Sequence, residues 1–170
     1  PSHSFGWRDG FTGFPPQLKD GVYPRQYRPD RTVDFDHLRL ELKIFMNEKR
    51  VEGTARYDFR PIHDQVKSIR FDAMRMDIAA VTSPSQPSLK WTYSENTVYV
   101  EFPAPLPMDA TTSLAIAYSV KPPQSTPAGM DTGMFFTDSK HVVAENPDQL
   151  FTLNEPFGGS YWFPCADYPN

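Results

Sequence analysis

The stretch that decides the fold runs from His37 to Ile62: HLRLELKIFM (37–46), NEKR (47–50) and VEGTARYDFRPI (51–62). In the first run Leu38, Leu40, Leu42, Ile44 and Met46 alternate with Arg39, Glu41, Lys43 and Phe45. Successive side chains of a strand point to opposite faces, so this period of two gathers the aliphatic groups on one face and most of the charge on the other. The second run alternates as well: Val51, Gly53, Ala55, Tyr57 and Phe59 against Glu52, Thr54, Arg56, Asp58 and Arg60. Two such runs around a short polar turn predict an antiparallel hairpin, with 38–46 paired to 51–59.

Strand signals continue outward from the hairpin. VKSIRFDA (66–73) and MRMDIAAVTS (74–83) read as a further extended pair. LKWTYS and TVYVEF flank Glu95 and Asn96 and predict a second hairpin. PAPLPMDA (103–110) is too proline-rich for a helix interior or a central strand. TTSLAIAYSV (111–120) is a β-branched and apolar run, and KPPQSTPAGMDTG (121–133) is a loop. MFFT and LFTL read as short strands around the turn-rich DSKHVVAENPDQ. No segment sustains a helical period, and no repeat of fixed length occurs. The prediction is an all-β domain of mostly antiparallel strands over 32–170. Residues 1–31 form an irregular arm carrying Phe5, Trp7, Phe11, Phe14, Tyr23 and Tyr27, a density of rings that predicts packing against the body.

Composition bounds the function. A chain of 170 residues suits one domain, or one with a short appendage. The 14% aromatic share argues against disorder, and 18 prolines argue against long helices. With 17 basic and 21 acidic residues interspersed, net charge −4, there is no cationic stripe for nucleic acid. One cysteine excludes an internal disulfide framework and fits a reducing compartment, which favours the cytoplasm. No apolar run is long enough to span a bilayer, and the first residues lack the basic-then-apolar pattern of a signal peptide.

The residues that could carry chemistry are dispersed. His3, His37, His63 and His141 show no ligand spacing, and no H-E-x-x-H occurs, so no zinc site is expected in this chain. Cys165 lies between Pro164 and Ala166 among bulky rings, the setting of a buried, inert thiol rather than a nucleophile. Asp34 and Asp36 fall at strand spacing and read as a solvated edge rather than an acid–base couple. No nucleophile elbow or phosphate-binding loop appears. This chain alone is therefore expected to be inactive.

The organisation resembles a known family. VDFDHLRLELKI, KRVEGTARYDFRPI, IRFDAMRMDIAAV, VYVEFPAPLPMDATTSLAIAYSV and GMFF, closed by FTLNEPFGGSYWFPCADYPN, are similar to the N-terminal domain of the gluzincin aminopeptidases, the aminopeptidase N and leukotriene hydrolase family. The resemblance spans about residues 33–170, and WFPCADYPN is its most specific part. It implies a saddle-like all-β unit that covers the active-site cleft of a zinc aminopeptidase. Zinc and its ligands would belong to the following catalytic domain. The chain's own catalytic domain and a peptide substrate are then its partners, and the β domain is expected to be cut short at its C-terminal edge. In the family a stretch T-Q-x-E supplies an acid that holds the substrate's free α-amine, and the resemblance places that acid on Glu155 in TLNE. A carboxylate in a closed cleft pairs with an ammonium and measures the distance from chain end to metal. Leu153 stands where the family has glutamine, and Ser160 where it often has arginine. Those departures point to a diverged substrate range or a degenerate member. Trp162, Phe163, Pro164 and Tyr168 are expected to pack as a corner, with Asp167 capping a turn.

Two other functions stay open on the sequence. An inactive relative of this domain type would serve as a protein interaction scaffold. An unrelated β-sandwich for adhesion or carbohydrate binding would need a flat aromatic platform, for which Trp91, Tyr93 and Tyr99 are the candidates.

Overall fold

A computed structural model describes residues 31–122, 133–137, 148–154 and 158–166. Residues 1–30 of the expected irregular arm over 1–31 lie outside the described residues, as do His3, His141, Glu155, Asp167 and Tyr168. The described part is built from strands and two short 3-10 turns. Strands β1 (Val33–Phe45), β2 (Arg50–Pro61), β7 (Thr112–Val120) and β4 (Asp77–Thr82) form a four-stranded sheet in the order β1-β2-β7-β4. Strands β3 (Val66–Asp72), β6 (Thr97–Leu106) and β5 (Lys90–Ser94) form a second sheet, ordered β3-β6-β5. Strands β8 (Gly133–Thr137) and β9 (Gln149–Leu153) form a ribbon. Every pairing is antiparallel.

The predicted hairpin is present. Leu38 faces Tyr57, Leu40 faces Ala55, Leu42 faces Gly53 and Ile44 faces Val51. A 3-10 turn, Met46–Glu48, reverses the chain, and Lys49 completes the reversal in the left-handed region (φ 49°). The second hairpin is tighter: Ser94 faces Thr97, and Glu95 and Asn96 both take positive φ (49° and 61°). Two consecutive left-handed residues match the right-handed twist of the flanking strands.

Two expectations from the sequence are corrected. The 66–73 and 74–83 segments do not pair with each other. β3 pairs with β6 and β4 pairs with β7, so the link between them crosses from one sheet to the other. The strand β6 also continues through Pro103 and Pro105 to Leu106. The prolines are tolerated because β5 pairs with β6 only as far as Glu101, and the β3 ladder is interrupted between Val66 and Ser68. A missing N–H costs little where no neighbour needs it.

The first two sheets face each other across a shared apolar core. Val51, Ala55, Tyr57 and Phe59 of β2 and Leu114, Ile116, Tyr118 and Val120 of β7 contribute from one side. Ile69, Phe71, Val98, Val100 and Phe102 contribute from the other. Rings cross the gap: Tyr57 lies 4.8 Å from Phe71, Phe35 5.9 Å from Phe71 and Phe59 6.3 Å from Phe102, centroid to centroid. β1 is only half used by this core. Val33, Phe35 and Leu40 reach it, while Leu38, Leu42 and Ile44 remain at 38%, 36% and 40% exposure.

Candidate functional site

The dense C-terminal segment is fixed to the body at several points. Gly159–Tyr161 forms a 3-10 turn. The Met74 amide donates to the Ser160 carbonyl at 2.7 Å. Cys165 and Asp72 exchange two backbone hydrogen bonds, 2.9 and 2.7 Å, and so form an isolated antiparallel bridge to the end of β3. The buried Tyr57 hydroxyl donates to the Pro164 carbonyl. Trp162 and Phe163 meet edge to face at 4.5 Å. The expected corner is therefore present for its described members, with Trp162 half-buried rather than enclosed. Cys165 is buried, in keeping with a packing role.

The ribbon β8–β9 delivers the chain to this corner. Met134 and Phe136 enter the core, while Phe135 stacks on Phe151 at 5.1 Å across the ribbon. Gly133 takes φ +109°, and a β-carbon there would lie 3.1 Å from the β-carbon of Tyr161, so both backbone shape and space call for glycine. On β9, Phe151 and Leu153 share the face turned from the core, at 48% and 43% exposure. The next residue, Asn154, ties the ribbon to the corner twice. Its carbonyl accepts from the Gly158 amide at 2.9 Å, and its Oδ1 accepts from Trp162 Nε1 at 3.0 Å. These bonds join the residues that flank positions 155–157. Leu153, where the resemblance expects glutamine, thus presents an exposed apolar side chain, and Ser160, where it expects arginine, is fully buried.

The other candidates do not assemble into a catalytic site. Arg60 makes a two-pronged contact with Asp36 at 2.8 and 2.7 Å and lies 3.9 Å from Asp34, while Arg31 bonds Asp34. The Arg60 hydrogen bond holds the Asp36 carboxyl below its ordinary range. Both carboxylates are solvent-facing and charge-paired, as a structural edge cluster would be. Among the described residues no three His, Cys, Asp or Glu side chains converge, so these residues do not form a zinc site. Trp91 and Tyr93 turn into the core side of β5, where the Tyr93 hydroxyl donates to the Ala73 carbonyl and accepts from the Met76 amide. Tyr99 faces outward. The three rings are divided between faces and make no platform. A shallow, open concavity of about 670 Å³ lies over the four-stranded sheet, lined by Glu41, Lys43, Glu52 and Asp77 among others, and holds no catalytic grouping.

Sequence reasoning missed the residues that hold the corner. Asn154, Tyr57 and Asp72 act through bonds that span up to 107 positions in the chain, and nothing local marks them.

The peptidase M1 N-terminal domain model matches residues 24–170 of the chain. The fold is similar to that of a mutant M1 zinc metallopeptidase from Deinococcus radiodurans bound to a Tyr-Ser-Ala substrate, at 23% identity and TM-score 0.66, over 82% of this chain and 30% of that one. It is also similar to native yeast LTA4 hydrolase, at 16% identity and TM-score 0.62, over 81% of this chain and 21% of that one. The chain thus spans less than a third of the length of these structures. No curated protein sequence matches it.

Proposed function

This chain belongs to the peptidase M1 N-terminal domain family, and on that premise we propose that it is the non-catalytic domain that covers the active-site cleft of a zinc aminopeptidase and helps to hold the free amino terminus of its peptide substrates. Glu155 is the residue assigned to that amine. The observation that carries the reading is the family match, whose span of residues 24–170 includes the TLNE and WFPCADYPN stretches. The anchoring of their neighbours supports it. Asn154 is bonded to the 158–166 corner, which is bonded in turn to β2 and to the end of β3, so the described residues on either side of the assigned one are tied to the body. A side chain that measures distance depends on such placement, because a misplacement of about 1 Å can cost roughly two decades in rate.

The chemistry assigned to this chain is limited to binding and orientation. A carboxylate meeting an ammonium in a dry cleft forms a charge-assisted hydrogen bond and fixes which bond of the peptide reaches the reaction centre. Zinc would polarise the scissile carbonyl when bound, and it would be held by residues outside the described part of this chain. Leu153 favours a second form of the same reading. Its exposed apolar side chain cannot hydrogen-bond a peptide as a glutamine would, which fits a parent of shifted specificity or one retained as an interaction scaffold.

The test is kcat/KM of the full-length protein on matched peptides with free and acetylated amino termini. Glu155→Gln is expected to lose about 1.5–3 kcal/mol of preference for the free terminus, or roughly one to two decades. Leu153→Gln is expected to raise activity on free-amine peptides. Equal kinetics for wild type and Glu155→Gln, with the fold intact, would remove the assignment.

A further inference from the structure

Two turns meet at one end of the domain and hold an apolar pair out to solvent. Val66, the first residue of β3, pairs with Leu106, the last of β6. The turn that enters β3, residues 62–65, therefore lies beside the turn that leaves β6, residues 107–110. Hydrogen bonds join them: the Asp109 amide donates to the Pro61 carbonyl at 3.0 Å, and the Met108 amide donates to Asp64 Oδ1 at 3.4 Å. Gln65 and Asp109 hold the bends at φ 72° and 60°. Pro61, Val66 and Leu106 are buried, but Ile62 and Met108 stand out at 45% and 51% exposure. Asp64 and Asp109, both exposed, add two carboxylates to the same turns. Apolar surface rimmed by charge marks an interaction site.

The N-terminal arm joins the body at this point. The Ile62 amide donates to the Thr32 carbonyl at 3.1 Å, so the residue before β1 runs alongside Ile62. Arg31 is held just upstream, its Nε donating to the Val33 carbonyl at 3.2 Å and its Nη2 bonding Asp34. Residues 1–30 precede it, and the nearest of them read YPRQYRPD (23–30). A residue before proline is pushed toward extended backbone, so Tyr23 and Arg28 disfavour a helix here. Four extended residues span up to about 14 Å, which puts Tyr27 within reach of both turns from Arg31. The chemistry of the stretch complements that of the patch. Tyrosine offers a ring to the apolar pair, while Arg25 and Arg28 offer guanidinium groups to Asp64 and Asp109. We infer that residues 23–30 clasp this end of the domain, with Tyr27 on the Ile62–Met108 pair and the two arginines facing Asp64 and Asp109. The clasp ties the root of the arm to β2 and β6 at once. It goes beyond the functional reading above and does not rest on it.

The test is limited trypsin digestion of the full-length protein, with the rate of cutting at Arg25–Gln26 followed by mass spectrometry. Cutting at Lys19–Asp20, upstream of the clasp, serves as the reference. In the wild type the Arg25 site is expected to be cut at least about tenfold more slowly than the Lys19 site, since cleavage tracks the population of the open form. Ile62→Ser combined with Met108→Ser is expected to bring the two rates together and to leave the Lys19 rate as it was. Should that variant melt early, Met108→Ser alone, at the more exposed of the two positions, carries the same expectation in smaller measure. Asp109→Asn should also speed cutting at Arg25, and high salt should erase its difference from the wild type. Equal rates at both sites in the wild type would overturn the inference. So would protection at Arg25 that survives the serine substitutions, which would seat the arm elsewhere. Protection that fades on dilution would give the patch to the arm of a second copy and overturn it too. None of these readouts depends on peptidase activity, so an inactive parent would defeat the functional reading and leave this test intact.

Discussion

Tyr118 and Gly53 face each other across neighbouring strands, and each constrains the other. A β-carbon on Gly53 would lie 2.8 Å from the Cζ and hydroxyl of Tyr118 and 2.9 Å from a methyl of Leu42. Gly53→Ala therefore forces the ring and the leucine aside and is expected to cost about 1–3 kcal/mol by overpacking, read as a lower denaturant midpoint. The Tyr118 hydroxyl is buried with no hydrogen-bond partner among the described residues. A buried orphan hydroxyl costs about 1–3 kcal/mol, so Tyr118→Phe is expected to be neutral or stabilising by up to about that amount, where most core substitutions lose stability. Trp162→Ala should cost about 2 kcal/mol, below the loss for an enclosed ring, because the indole is half-buried and gives up one bond to Asn154. Glu155→Gln belongs to this scale too, but it is expected to change amine preference and leave stability alone.

Among the elements, the β5–β6 hairpin shows the cost of a tight reversal. Glu95 sits at positive φ, a region that suits Asn or Gly better than Glu. Glu95→Asn is expected to stabilise the domain by about 0.5–1 kcal/mol. Asn96→Ala should do the opposite by about 1 kcal/mol or more, since Asn96 also accepts the Arg75 amide at 2.9 Å through its Oδ1. A pair of thermal melts distinguishes the two outcomes. Both hairpins were legible in the sequence, because alternation and turn residues are local signals. The partners of β3 and β4 were not. Each segment alternates well enough to pair with the other, and only the two-sheet arrangement sends them apart.

At the scale of the whole molecule, burial of the two core-side tyrosines sets an upper pH limit. Burial raises the Tyr57 phenol well above its ordinary value of about 10, and burial raises that of Tyr118 as well. A raised folded pKa means that the stabilisation is complete below the unfolded value and fades as pH climbs through the folded one. Stability is therefore expected to hold up to about pH 10 and to fall above it. Phenolate absorbance from Tyr57 and Tyr118 should appear only together with loss of the far-ultraviolet strand signal. Tyrosine ionisation that is complete while the strand signal stays intact would contradict the packing of both rings. Tyr118→Phe should soften the alkaline fall, which links this result to the orphan hydroxyl.

Local periodicity in the sequence determined that this chain is all-β, where its two hairpins lie, and that the described part of its closing stretch packs as a corner, because strand alternation, turn residues and a run of aromatics act within a few residues. The closing motif also carried the family resemblance, since WFPCADYPN is specific where the strand patterns are not. Tertiary structure alone decided the rest. It set the strand order β1-β2-β7-β4 against β3-β6-β5, and the hold of Tyr57 and Asp72 on the corner. It also set the exposure of an aliphatic face that alternation marks as buried. The physical reason is the same in each case: period two states which side chains share a face, but not what lies opposite that face.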